Sequence, residues 1–181
     1  MSRLADLAAR PARVLITEDE LRARVTALGE ALARDYADRH PVLVGVLKGA
    51  LLFMADLIRA VSIDLETDFI VLASYGAATR SSGVVKLASD LSHPIEDRDV
   101  VIVEDIIDTG RTVSYLKRNL ETRRPRSVKI CALLDKIERR EVEVDIDYLG
   151  FTIPNVFVVG YGMDHAGLYR NLPHIATLDS A

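Results

Sequence analysis

The sequence predicts an α/β fold with a mainly parallel central sheet flanked by helices, and three observations carry that expectation. Apolar runs at residues 42–47, 100–103 and, broken only by Lys129, 128–134 suit strands covered on both faces. Each run stops at charged or small residues: Lys48-Gly49, Glu104-Asp105 and Asp135-Lys136. After the first two stops the apolar residues return at helical spacing, and repeated strand–turn–helix units build parallel sheets.

Taken in order, Thr17-Glu18-Asp19-Glu20 is a capping box that opens a helix, with Leu21, Val25, Leu28 and Leu32 on one face. The strand at 42–47 follows Pro41, and residues 50–61 read as the next helix, with Leu51, Met54, Leu57 and Ile58 turned inward. Residues 68–75 alternate as a third strand. Gly76 to Gly83 is small and polar, and 84–87 resumes a strand, so the pair is expected to be a long hairpin with a mobile tip. The strand at 100–103 leads through the acids to a helix marked by Val113, Leu116 and Leu120. Residues 144–149 and 156–159 are further short strand candidates.

At 181 residues the chain reads as one domain, 1–181. Apolar residues make up 49% and charged residues 28%, ordinary for a soluble globular protein. A net charge of −4 argues against a nucleic-acid-coating surface. The single cysteine, Cys131, lies in an apolar run and cannot form an internal disulfide, which suits a reducing compartment. No run approaches the ~20 apolar residues needed to span a bilayer, and the first sixteen residues lack a signal-peptide core. The expectation is a cytoplasmic protein with no membrane or nucleic-acid partner.

The chemistry concentrates in Glu104-Asp105-Ile106-Ile107-Asp108-Thr109-Gly110-Arg111-Thr112, between a buried strand and a helix, the edge where open α/β sheets bind ligands. The amides of a Thr-Gly-x-Thr turn and of the first helical residues form an anion cradle, with the two hydroxyls as extra donors. A phosphate alone would not suit three neighbouring acids. A phosphorylated sugar carrying Mg²⁺ would, because carboxylates accept from sugar hydroxyls and hold a hard cation.

This stretch resembles the phosphoribosyl-diphosphate signature of the type I phosphoribosyltransferases, and its Glu-Asp-Ile-Ile-Asp-Thr-Gly-x-Thr form is similar to the hypoxanthine/guanine branch. The resemblance runs from about residue 42 to 178 and includes Lys136, Phe157-Val158-Val159-Gly160-Tyr161, Asp164 and Tyr169-Arg170-Asn171-Leu172. One departure is Ile137, where related bacterial sequences often carry proline.

The resemblance implies a fold with a hood formed by the N- and C-terminal segments and a mobile lid at about 74–85, including Ser74 and Tyr75. It also implies a homo-oligomer, dimer or tetramer. The implied substrates are 5-phosphoribosyl 1-diphosphate and a 6-oxopurine: hypoxanthine, guanine or, in third place, xanthine. Glu104 and Asp105 would hold the ribose hydroxyls and, with Asp164, Mg²⁺. Thr109, Gly110, Arg111 and Thr112 would take the 5′-phosphate. Lys48 and Gly49, after a cis Leu47–Lys48 peptide, and Arg170 would take the diphosphate. Lys136 would read the 6-oxo group, Phe157 would stack on the base, Val158 would read its edge, and Asp108 would exchange a proton at N7.

Two readings from other classes compete. A phosphoribosyl-diphosphate-binding regulator of nucleic acid would want a basic face, and only residues 123–126 are basic. A receiver-type signalling module would place its acids near the start of the domain, whereas here two strand–helix units and a hairpin precede them.

Overall fold

The computed structural model describes residues 11–74 and 85–178. Six strands form the main sheet in the order β4-β3-β2-β5-β6-β7: β2 (Val42–Leu47), β3 (Glu66–Ser74), β4 (Val85–Ser89), β5 (Asp99–Ile107), β6 (Ser127–Asp135) and β7 (Tyr148–Thr152). All neighbours are parallel except β4, which runs antiparallel to β3 at the edge. A second, three-stranded sheet joins β1 (Pro11–Ile16), β9 (Ile175–Leu178) and β8 (Val158–Val159) in that order, from the two ends of the described chain.

Helices cover both faces of the main sheet, which explains the apolar strands. In β5, Val101 and Val103 pack with Leu21, Leu28 and Leu32 of α1 (Glu18–Asp35) and with Phe53, Met54 and Leu57 of α2 (Leu51–Ala60). Val100 and Ile102 face the opposite layer, with Val113, Leu116 and Leu120 of α3 (Arg111–Glu121). The alternation along one strand thus serves two cores at once. Thr17 caps α1 in a full capping box: its hydroxyl accepts from the Glu20 amide, and the Thr17 amide donates to the Glu20 carboxylate.

Several local expectations shift. Leu51 is exposed rather than inward, because it is the first residue of α2, and Phe53 takes the buried place instead. The strand expected at 144–149 is displaced to β7. Val144 and Ile146 still pack against the α3 layer, but as loop. Only Val158 and Val159 of 156–159 pair as strand. The hairpin reading is met where it is described, in the β3–β4 pairing. Its tip, with Tyr75 and most of the expected lid, lies outside the described residues, as do the first ten residues and the last three.

Candidate active site

β5 does not stop at the acids. Glu104 and Asp105 lie inside the strand, because the ladder to β6 continues past them: Glu104 pairs with Ala132, Ile106 with Leu134 and Ile107 with Asp135. The first residue beyond β5 is Asp108, and the first beyond β6 is Lys136. The Lys136 amide donates to the Ile107 carbonyl at 3.0 Å, so two adjacent strand ends present a carboxylate and an ammonium side by side.

A cleft of about 440 Å³ opens at this edge. Its polar lining includes Glu104, Asp105, Asp108, Thr112 and Lys136, with Gly49 from the end of β2. Phe157, Val158, Asp164 and Arg170 line it from the C-terminal segment. An adjoining hollow of about 160 Å³ is lined by residues 104–110, 112 and 113. There Gly110 adopts φ +81° at the start of α3, and a Cβ on it would lie 2.5 Å from the Val142 carbonyl oxygen, so both the turn and the packing require glycine. The Arg111 amide donates to the Thr109 hydroxyl at 3.4 Å, and the next amides of α3, with no side-chain cap, are available to an anion. The Thr109 carbonyl accepts from the Glu141 and Val142 amides and pins the turn. Arg111 spends its guanidinium on Glu141, 2.6 Å away, and can offer this hollow only its backbone.

On the other side of the cleft, the Leu47–Lys48 peptide is cis, as the resemblance implied. Gly49 lines the cleft, whereas the exposed Lys48 does not. Asp164 accepts from the Gly167 amide at 2.7 Å and pairs with Arg170 at 2.5 Å. Arg170 also donates to the Gly162 carbonyl. Phe157 is 53% exposed, and its ring meets His165 edge-on, with centroids 5.5 Å apart. Ser74 ends β3, and Tyr75 lies outside the described residues.

Sequence reasoning passed over part of the apolar walls, Leu72 and Met163 among them. It also missed Arg139, whose Nη1 lies 3.1 Å from Asp108 Oδ2. Arg139 carried only a charge in a short basic pair.

The electrostatics are unbalanced. Burial, reinforced by the Asp105 charge, holds the Glu104 carboxyl well above the usual carboxylate range. Burial likewise pushes Asp105 up, against backbone hydrogen bonds and the Arg170 charge that pull it down. Burial lowers the Lys136 ammonium, while Asp108 works the other way.

Two adjacent carboxylates, Glu104 buried and Asp105 half-buried, fit a hard dication. Asp164 adds oxygen donors across the cleft. Among the described residues no three acidic, histidine or cysteine side chains gather as a metal cage. That pattern suits Mg²⁺, which takes one or two carboxylates and completes its shell with substrate oxygens and water.

Comparison with known proteins gives a consistent result. Residues 17–166 match the model of the phosphoribosyl transferase domain. The chain is 49% identical to hypoxanthine-guanine phosphoribosyltransferase of Bacillus subtilis (strain 168), over 93% of this chain and 94% of that protein. It is 52% identical to the bifunctional protein TilS/HprT of Listeria monocytogenes, covering 92% of this chain but only 26% of that longer protein. Among solved structures, a hypoxanthine-guanine phosphoribosyltransferase from Bacillus anthracis superposes with a TM-score of 0.88 at 44% identity, over 93% of this chain and 99% of the other.

Proposed function

The chain belongs to the phosphoribosyl transferase domain family, in its hypoxanthine-guanine branch, and from that premise we propose that it transfers the 5-phosphoribosyl group of 5-phosphoribosyl 1-diphosphate to N9 of hypoxanthine or guanine, releasing diphosphate. The observation that carries the reading is the single cleft in which Glu104, Asp105, Asp108 and Lys136 converge from two neighbouring strand ends. The relatives named above are enzymes and lend no support to the nucleic-acid-binding regulator.

The sugar diphosphate is held at three places. The first amides of α3, from Gly110, Arg111 and Thr112 onward, and the hydroxyls of Thr109 and Thr112 take the 5′-phosphate. Glu104 and Asp105 accept from the ribose hydroxyls. Gly49 and Lys48 at the end of β2, with Arg170, receive the diphosphate. Mg²⁺, held from one side of the cleft by Glu104 and Asp105 or from the other by Asp164, would neutralise charge on the sugar diphosphate when bound.

The base lies against Phe157, its edge read by Val158. Lys136 donates to the 6-oxo group, and this favours hypoxanthine and guanine over adenine, whose amino group cannot accept. As the N9–C1′ bond forms and diphosphate leaves, Asp108 takes a proton at N7. Arg170 and the amides around Gly49 favour the negative charge growing on the leaving group. We read the three-stranded sheet as the hood over the base, residues 74–85 as the lid that excludes water, and 1–181 as one domain. We further propose a cytoplasmic homo-oligomer; no helix among the described residues is long and apolar enough to cross a membrane.

The test supplies hypoxanthine, guanine, xanthine and adenine in turn, with the sugar diphosphate and Mg²⁺, and follows nucleotide formation. Turnover with a 6-oxopurine and none with adenine is expected. Binding of the sugar diphosphate without turnover on any base would overturn the reading.

A further inference from the structure

We infer that Arg139 is a positioning residue that fixes the orientation of the Asp108 carboxylate, an inference that rests on the transferase reading above. Arg139 closes the 3-10 turn Ile137–Arg139, and its Nη1 sits 3.1 Å from Asp108 Oδ2. The other carboxylate oxygen, Oδ1, is shielded from solvent and accepts no hydrogen bond. A carboxylate that can rotate offers two equivalent oxygens to a substrate. Tying one to a guanidinium fixes the plane of the group, and with it the direction of every lone pair left to accept.

The backbone makes this arrangement rigid. The Lys136 amide donates to the Ile107 carbonyl, one residue before Asp108, and the Arg139 amide donates to the Lys136 carbonyl, both at 3.0 Å. Arg139 is therefore carried at a set distance from the strand end that bears Asp108. The base-reading Lys136 and the orienting Arg139 belong to one short turn, so the pocket's donor and its proton acceptor are registered against each other.

The neighbouring Arg140 shows what a structural pair looks like in the same turn. Its guanidinium and the Asp135 carboxylate bond to each other with side chains only 13% and 8% exposed. Arg139 and Asp108 are 46% and 38% exposed. A pair so open to water adds little to stability, so its geometry can be altered without unfolding the turn that Arg140 secures.

The experiment measures kcat and both KM values for Arg139→Ala, Arg139→Gln, Arg139→Lys and Asp108→Asn, and for Arg139→Ala combined with Asp108→Asn. Melting temperatures are taken alongside. Loss of orientation should lower kcat by about ten-fold in the Ala and Gln variants, with the KM for the sugar diphosphate within about two-fold of wild type. Arg139→Lys should recover most of the loss. In the Asp108→Asn background, Arg139→Ala should cost nothing further, because its effect passes through that carboxylate. A merely structural arginine would lower activity equally in both backgrounds. That result, or a kcat for Ala and Gln within about two-fold of an active wild type, would overturn the inference and leave the transferase reading intact. A wild type that forms no nucleotide would overturn both.

Discussion

Gly49 stands against the carboxylate of Asp105: a Cβ placed on this glycine would lie 1.9 Å from Oδ2 and 2.5 Å from Cγ. The loop after β2 and the acid pair of β5 are thus in contact, so the proposed diphosphate and ribose subsites share a wall. Gly162 extends the chain of contacts, since a Cβ there would lie 2.2 Å from the Gly49 carbonyl oxygen.

Gly49→Ala should therefore displace the Asp105 side chain, which can swing, rather than the backbone. The expected result is a folded protein whose kcat/KM for the sugar diphosphate falls by about 10²-fold, the scale of a misplaced catalytic contact. Gly162→Ala meets backbone and also forces φ +99° on a residue with a Cβ, so it should lower the melting temperature as well. Steady-state kinetics beside thermal melts would separate the two. Wild-type kinetics for Gly49→Ala would show that the Asp105 position is not critical.

The buried acids make stability depend on pH with a definite sign. Burial raises both carboxyls above their ordinary range in the folded protein, Asp105 to about 6 and Glu104 well above the usual carboxylate range. The unfolded chain therefore loses these protons first, and the native state loses stability as pH rises from about 4 through 6 and beyond. Asp105→Asn or Glu104→Gln removes the charge that burial penalises. In chelator at pH 7.5 either variant should melt several degrees above wild type, about 3 °C per kcal/mol recovered, and should bind the sugar diphosphate with Mg²⁺ poorly. A lower melting temperature for both variants would contradict the electrostatic account.

The legible part of this fold was the part governed by local pattern. Strands β2, β5 and β6 announce themselves because both faces are covered, and Glu104 and Asp135 mark where the apolar runs of β5 and β6 stop; Asp108 and Lys136, a few residues further on, were singled out by the resemblance. The three-stranded sheet has no comparable local signal. Val14 pairs with Ala176 and Ile16 with Ile175, partners about 160 residues apart, and each strand is too short to stand out alone. The register near β7 was ambiguous for another reason. Val144, Ile146 and Tyr148 keep one alternation, yet the ladder begins only at Tyr148, after the Asp147 side chain accepts from the Ile130 amide at 2.8 Å. Side-chain pairings such as Arg139 with Asp108 leave no periodic trace at all.

Lys136→Ala tests how the base is chosen. Lys136 is only 6% exposed and lines the cleft beside Asp108, and burial disfavours its charge. Its ammonium is useful where a substrate oxygen replaces lost water. Removing it should raise the KM for hypoxanthine and guanine by about 10- to 100-fold, the range of a hydrogen bond to a charged group. The KM for the sugar diphosphate should change by less than about two-fold, within the scatter of distant substitutions. Discrimination against adenine should also weaken. Equal losses for both substrates would place Lys136 outside base recognition.

Asp108→Asn is the sharpest test of the proton step. The amide keeps the size of the side chain and an oxygen that can accept a hydrogen bond, but it cannot carry the N7 proton. Asp108 Oδ1 lies shielded and unpartnered at the end of β5, so the substitution breaks no hydrogen bond at that oxygen, and the melting temperature should hold within a few degrees. Turnover should fall by about 10²-fold or more, the usual scale of general acid–base catalysis. Binding of the sugar diphosphate, measured by calorimetry, should stay close to wild type because its proposed contacts lie on other residues. Turnover near wild type would remove the proton transfer from Asp108. A matching loss in sugar-diphosphate binding would assign the residue to that substrate instead.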